Sequence, residues 1–145
     1  MRRALLDVNV LLALLDADHV DHARATDWLD AEISGGWASC ALTENGFVRI
    51  LSQPRYPSPV SPSEAVALLG QACAGDHHAF WSCDVSLLDA HVLDRDRLHG
   101  ARQVTDAYLL ALAVAHDGRF VTFDRSLSLA SVVGATEDHL TVLVP

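Results

Sequence analysis

Four acidic residues interrupt apolar segments of this sequence. Asp7 follows "ALL", Glu44 lies in "ALTENGFV", Asp106 lies in "VTDAYLLALA", and Asp124 ends "FVTFD". A carboxylate in a core is unfavourable unless a cation or a hydrogen-bond donor meets it there. Carboxylates held close together also repel, and Mg²⁺ or Mn²⁺, which prefer oxygen ligands, would compensate that repulsion. The chemistry that this pattern predicts is metal-assisted hydrolysis of a phosphodiester bond.

The predicted secondary structure brings three of these acids together. Residues 4–7 read as a short buried strand that ends at Asp7, and "RFVTFD" reads as a strand that ends at Asp124. An almost wholly apolar helix begins at Thr105 or Asp106. The carboxyl ends of parallel strands and the helices that follow them begin at one edge of a sheet. We therefore expect Asp7, Asp106 and Asp124 to lie close together at that edge.

The rest of the chain alternates helices with strands. Ser61, Pro62 and Glu64 mark the start of one helix as cap, first residue and third residue. Because strands alternate with helices and short hairpin signals are missing, we expect an α/β fold with a parallel sheet covered on both faces. The remaining predicted helices and strands, in that order, cover residues 8–15, 19–33, 42–53, 62–75 and 87–98, then 37–42, 79–83 and 140–144.

The composition is that of one globular domain over residues 1–145. The chain is 50% apolar and 20% charged. No apolar run reaches the roughly 18 residues of a membrane span, so we expect a cytoplasmic protein with no membrane contact. Cys40, Cys73 and Cys83 are odd in number and widely spaced, which favours free thiols over disulfides. The net charge of -9 argues against a broad basic surface, so any RNA contact must be local or shared with a partner.

All ten basic residues are arginines. The absence of lysine excludes the phosphate-binding loop of many nucleotide hydrolases, and it excludes lysine-based covalent chemistry. The sequence also lacks the GxGxxG pattern of dinucleotide binding and the GxSxG pattern of serine hydrolases. The acidic residues are therefore the main candidates for chemistry.

Each acid has an ordinary explanation when it is taken alone. Asp106 can be a first-turn acid favoured by the helix dipole, and Glu44 can be an acid on a helix surface. Asp124 can be a cap or a surface partner of Arg125. Asp7 is the hardest to explain in this way, because apolar residues surround it. The four acids together favour a shared site.

At these residues the sequence resembles the PIN-domain nucleases, and most closely the VapC toxins of bacterial toxin–antitoxin pairs. The resemblance runs from end to end and rests on four segments in the family's order, "LLDVNVLLALL", "TENGFVRIL", "VTDAYLLALA" and "FVTFDRSL". It implies a three-layer α/β/α sandwich with a central, mainly parallel sheet, and a Mg²⁺- or Mn²⁺-dependent endoribonuclease. It also implies a homodimer and a cognate VapB-type antitoxin that blocks the active site.

The resemblance assigns the catalytic acidic roles by position to Asp7, Glu44, Asp106 and Asp124. Asp7 and Asp106 are expected to bind the metal directly, and Asp124 directly or through water. Glu44 is expected to orient water.

Two polar residues next to these acids are predicted to support them. Asn9 and Thr105 can donate and accept hydrogen bonds, so we expect them to hold the metal ligands in place. Many family members carry a further acid shortly after the fourth one. Ser126 and Ser128 stand at those positions here, which leaves a second metal ion open.

Two other functions compete with the endoribonuclease. A phosphatase on a similar sheet would use a strand-end aspartate as its nucleophile, but "DVN" lacks the second aspartate of the DxD pattern of such enzymes. A non-catalytic RNA- or protein-binding module would keep the fold and lose one or more acids, whereas all four are present. The endoribonuclease is therefore the leading hypothesis.

Overall fold

The computed structural model describes residues 1–144, which form a five-stranded parallel sheet with helices on both faces. The strands are β1 (Ala4–Leu6), β2 (Trp37–Cys40), β3 (His78–Trp81), β4 (Arg119–Thr122) and β5 (Leu140–Val142). They lie in the order β3-β2-β1-β4-β5, and all four pairings are parallel. The predicted parallel sheet is confirmed. The last residue of the predicted domain, 145, lies outside the described residues.

Over the same residues, five α-helices and several short 3-10 helices connect the strands. Ser61 caps the fourth helix as predicted, since its hydroxyl accepts a hydrogen bond from the Glu64 backbone N–H at 3.1 Å. None of the helices within residues 1–144 is long and apolar enough to cross a membrane. The helices are α1 (Val8–Leu15), α2 (His22–Glu32), α3 (Ala41–Leu51), α4 (Pro62–Cys73) and α5 (Val104–Ala115).

The central strand β1 separates two apolar cores, because successive side chains of a strand point to opposite faces. Leu5 packs on the face covered by α5 and the segments around it. Ala4 and Leu6 pack on the face covered by α1, α2, α3 and α4. This arrangement is the predicted α/β/α sandwich.

The predicted helix over residues 87–98 is wrong. The segment forms turns and a short 3-10 helix at Arg95–Arg97. The side chains of Ser86, Asp89 and Asp94 each accept a hydrogen bond from the backbone N–H two residues later, at 3.1, 2.8 and 3.1 Å. Such local bonds compete with the helical ladder. Leu93 also forms an isolated bridge with Val132.

Gly46 lets α3 approach the start of α1. A Cβ atom at this position would lie 2.7 Å from Val8 Cγ2, well inside van der Waals contact. Val8 is the first residue of α1 and follows Asp7 directly. The glycine in the middle of α3 is therefore explained by close packing beside Asp7.

We predict that alanine has opposite effects at two helical glycines. Gly46→Ala should lower the free energy of unfolding by about 1–3 kcal/mol, because the added methyl overpacks the contact with Val8. Gly70→Ala in α4 should raise it by about 0.5–1 kcal/mol, because its Cβ would meet nothing within 4 Å and alanine favours a helix. Urea denaturation of both variants measures this, and a Gly46→Ala protein as stable as the parent would contradict it.

Candidate active site

The site lies where the strand order of the sheet reverses. β1 is followed along the chain by β2 on one side, and it pairs with β4 on the other. In open α/β sheets, the crevice outside the carboxyl ends of such strands is the usual ligand-binding position. Asp7 and Asp124 both lie at this edge.

Asp7 joins β1 to α1 and is only 8% exposed. Its backbone N–H donates to the carbonyl of Val121 in β4 at 2.9 Å. Its carboxylate Oδ1 accepts from the Val8 backbone N–H at 2.7 Å and so caps α1. The buried acid is fixed by the strand before it, the helix after it and the neighbouring strand.

Thr122, the last residue of β4, connects the groups around Asp7. Its fully buried hydroxyl donates to Asp7 Oδ2 at 2.6 Å and accepts from the Asp124 backbone N–H at 3.0 Å. Asn9 Nδ2 lies 3.4 Å from the same hydroxyl, and Asn9 Oδ1 accepts from the Phe123 N–H at 3.4 Å. Sequence reasoning missed Thr122, because threonine inside an apolar segment is typical of a strand. Its position two residues before Asp124 was the available signal.

Asp124 lies two residues beyond β4, whereas the sequence predicted that it ends the strand. Its Oδ1 accepts from the backbone N–H and the hydroxyl of Ser126, at 2.8 and 2.7 Å. These bonds are the main cause of its lowered pKa, with smaller contributions from Asp106 and the charge of Arg102. Ser126, at a position where the family often has another acid, thus orients Asp124.

Asp106, in the first turn of α5, completes the trio of aspartates. Burial, the charge of Asp7 and a hydrogen bond with Asp124 raise its pKa to about 7. Burial also raises the pKa of Asp7, against the opposing effect of its hydrogen bonds with Thr122 and Val8. The pKa of Asp124 is lowered and that of Asp106 is raised, so a proton shared between these two carboxylates resides on Asp106.

The three aspartates fit a hard divalent cation. They offer only oxygen donors, and none of them forms a salt bridge with a basic side chain within residues 1–144. Over the same residues, the carboxylate oxygens of the three aspartates do not all lie within 4.8 Å of one another. The three side chains would therefore have to move closer together to bind one ion. Uncompensated negative charge is the reason that Asp7 and Asp124 raise the pKa of Asp106. A cation would remove this repulsion.

Glu44 contacts a different group of residues. Its Oε2 accepts from the hydroxyl of Ser39 at 2.7 Å, and that hydroxyl accepts from His78 Nε2–H at 2.8 Å. Ligand atoms of Glu44, Cys73 and His78 all lie within 4.8 Å of one another. The structure therefore brings together Asp7, Asp106 and Asp124, and it places the carboxylate of Glu44 against Ser39.

Thr105 is exposed on the first turn of α5. Its hydroxyl makes no hydrogen bond to the three aspartates within the described part of the chain. The supporting role of Thr105 remains a prediction, whereas Asn9 lies in the hydrogen-bond network around Thr122.

Comparison with known proteins identifies the family of this site. The family profile of the PIN domain matches residues 4–132. Ribonuclease VapC44 of Mycobacterium tuberculosis is 67% identical over 141 residues, which are 97% of this chain and 99% of the relative. The chain belongs to the PIN-domain family. Within that family it belongs with the VapC ribonucleases, as predicted.

Two further comparisons place this PIN domain among its relatives. Ribonuclease VapC39 of M. tuberculosis is 44% identical over 92% of this PIN domain and 97% of the relative. The crystal structure of VapBC2 from Rickettsia felis, bound to a DNA fragment from its promoter, has a TM-score of 0.59 and 11% identity. The match covers 83% of this chain and 87% of that chain, and at this identity it supports the fold alone.

We predict that Asp106→Asn stabilises the metal-free PIN domain at neutral pH. The pKa of Asp106 is about 7 in the folded chain, against an ordinary value of 3.8. Between these pH values the folded state holds a proton that the unfolded state has released, so the free energy of unfolding falls as pH rises. Removing the charge should flatten this decline and raise the Tm at pH 8 by about 2–4 °C, equivalent to about 1 kcal/mol for a domain of this size.

Thermal unfolding in chelator from pH 4 to pH 8 measures the effect. Asp30→Asn, on the exposed face of α2, is the matched control and should follow the parent profile. An Asp106→Asn profile that falls as steeply as the parent would contradict the prediction.

Proposed function

We propose that this chain is a divalent-metal-dependent endoribonuclease that cleaves RNA phosphodiester bonds, and that it is the toxin of a toxin–antitoxin pair. The observation that carries the proposal is the meeting of Asp7, Asp106 and Asp124 at the switch point of the sheet, in a chain 67% identical to Ribonuclease VapC44. PIN-domain ribonucleases use a divalent metal ion, and an oxygen-only donor set favours Mg²⁺ or Mn²⁺.

Asp7, Asp106 and Asp124 are the residues proposed to hold the metal. When bound, such an ion activates water and offsets negative charge on the scissile phosphate. Asp7 presents a carboxylate fixed by Thr122 and by the Val8 backbone N–H, so little reorganisation is needed when RNA binds. Asp106 has to release its proton before it can act as a ligand, and the cation favours that release.

Hydrogen bonds also fix Asp124 and Asn9 in the proposed site. Ser126 fixes Asp124, and Asn9 holds the backbone of Phe123 and the hydroxyl of Thr122. These contacts support the role of Asn9 as a neighbour that positions the ligands.

Glu44 is proposed to orient water at the same edge. α3 begins directly after the carboxyl end of β2, which brings its first turn to that edge. The carboxylate of Glu44 accepts from Ser39, so this role requires the side chain to turn away from that hydrogen bond.

RNA is proposed to reach the site through local positive charge. The net charge of the chain is -9. Arg102 is nevertheless exposed two residues before α5, and its positive charge helps to lower the pKa of Asp124. A phosphate beside the aspartates would therefore meet one cation from the protein and one from the metal site. A homodimer, proposed from the family resemblance, would present such an arginine twice.

A VapB-type antitoxin is the proposed protein partner. Membership of the VapC family supports it, and the Rickettsia felis neighbour, a VapBC complex, shares the fold. An inserted antitoxin segment would occupy the acidic crevice and exclude RNA.

The phosphatase alternative receives less support from the geometry. Both carboxylate oxygens of Asp7 accept hydrogen bonds, from Val8 and from Thr122, and the residue is buried. Such a carboxylate is suited to ligation more than to nucleophilic attack. A non-catalytic binding module would not require three aspartates close together, and it offers no explanation for their mutual repulsion.

We predict that Asp7→Asn abolishes RNA cleavage and leaves the fold intact. The amide still fills the space of the carboxylate but no longer supplies its charge to a cation. Purified chain, freed of antitoxin by denaturation and refolding, is incubated with total RNA in Mg²⁺ or Mn²⁺ and again in chelator. Cleavage by the parent should require the metal.

Asp27→Asn, on the exposed side of α2, is the control and should cleave like the parent. Circular dichroism checks the fold of both variants. Cleavage retained by Asp7→Asn would remove Asp7 from the site, and cleavage by the parent in chelator would refute the metal requirement.

We also predict that Thr122→Val weakens metal binding by about 10–100-fold, the range typical of residues that orient metal ligands. Valine keeps the shape of the side chain but cannot donate to Asp7 Oδ2. The metal concentration for half-maximal cleavage should therefore rise, while the rate at saturating metal changes less. An unchanged metal dependence would show that the Thr122 hydroxyl does not position Asp7.

A further inference from the structure

A second cluster of possible metal ligands lies on the face of the sheet that α3 and α4 cover. Glu44 comes from α3, Cys73 from the last residue of α4, and His78 from the first residue of β3. One ligand atom from each side chain lies within 4.8 Å of the other two. Each of the three residues is half-buried, so a dissolved ion can reach them.

The donor set of this cluster differs from that of the three aspartates. It combines a carboxylate oxygen, a thiol sulfur and an imidazole nitrogen. Mg²⁺ and Mn²⁺ prefer oxygen, whereas sulfur and imidazole favour Zn²⁺ and other borderline-soft cations. We propose that Glu44, Cys73 and His78 form a second cation-binding site, for a borderline-soft divalent cation such as Zn²⁺.

Ser39 holds two of the three ligands in place. It is fully buried in β2, its hydroxyl donates to Glu44 Oε2 at 2.7 Å, and the same oxygen accepts from His78 Nε2 at 2.8 Å. Hydrogen bonds of this kind orient the ligands of protein metal sites. The ring of His78 also packs against Trp37, with 4.5 Å between the ring centroids. The side chains of Glu44 and His78 therefore have defined positions, and binding of a cation through Nε2 would require that nitrogen to give up its hydrogen bond with Ser39.

A cavity gives the ion a route to the cluster. Its volume is about 260 Å³, and it lies between α3 and α4 with Glu44 and Cys73 in its wall. Most of its other wall residues are apolar, among them Val48, Val66 and Leu69. Three protein ligands leave the fourth tetrahedral position of Zn²⁺ to water or to a small anion from this cavity.

The site shares Glu44 with the hydrolytic site of the proposed function, and in that respect it rests on that proposal. The Glu44 carboxylate belongs to the cation site in its position beside Ser39 and to the hydrolytic site when it turns away from Ser39. Its test therefore uses no RNA. Failure of cleavage would leave the metal-binding result intact, and failure of metal binding would leave the three aspartates as they are.

Cobalt is the probe for this site, because a bond between Co²⁺ and a thiolate gives a near-ultraviolet charge-transfer band that oxygen ligands do not give. The full chain is stripped with chelator, kept reduced with a phosphine, and titrated with Co²⁺ in excess Mg²⁺. We expect the band to appear at about one Co²⁺ per chain and to disappear when Zn²⁺ is added. A parent chain without the band would overturn the proposal.

Two variants and one control test Cys73 and His78 as ligands. Cys73→Ser should lose the band, whereas Cys83→Ser, which removes an exposed cysteine outside the cluster, should keep it. His78→Phe keeps an aromatic ring against Trp37 and should lower Zn²⁺ affinity by at least about tenfold, since even indirect partners of a metal contribute that much. Circular dichroism confirms the fold, and His78→Phe serves if Cys73→Ser does not fold. An undiminished band in Cys73→Ser, or unchanged Zn²⁺ affinity in His78→Phe, would overturn the proposal.

Discussion

The hydrogen bond from the Thr122 hydroxyl to the Asp7 carboxylate fixes the buried acid on which the proposed site depends. It connects the ends of β1 and β4, the two parallel strands at which the strand order of the sheet reverses. A buried carboxylate would otherwise be strongly unfavourable, and the bond offsets part of that free energy together with the Val8 N–H. Because Thr122 also accepts from the Asp124 backbone, one hydroxyl sets the positions of two acids.

Electrostatic repulsion among the three aspartates opposes the arrangement that these hydrogen bonds stabilise. Burial at the sheet edge, together with the nearby charges of Asp7 and Asp124, raises the pKa of Asp106 to about 7. Folding therefore concentrates negative charge that it does not neutralise, and the apolar packing on both faces of β1 supplies the free energy that keeps it there. Such stored repulsion is typical of sites whose charge is completed by a ligand.

Several features of the fold and the site could be predicted from the sequence, for physical reasons. A residue that directly follows a buried strand lies at the carboxyl edge of the sheet, so the position of Asp7 could be predicted from the apolar residues before it. The turns over residues 87–98 were missed, because apolar spacing there suits a helix and only the local side-chain bonds of Ser86, Asp89 and Asp94 reveal the competition. The grouping of Glu44 with Cys73 and His78 depends on how α3, α4 and β3 pack, which periodicity along the chain does not encode.

The parallel sheet order also determines when the site can exist during synthesis. β1 is made first, yet Thr122 lies 115 residues after Asp7, and the partner strand β4 ends only there. Contacts between such distant residues form late, since closing a long loop is entropically unfavourable. A nascent chain that ends before Thr122 thus carries Asp7 without its hydroxyl partner and without Asp124. The acidic centre can be assembled only after the segment from Asp106 to Asp124 has been synthesised, so a shorter nascent chain contains no complete site.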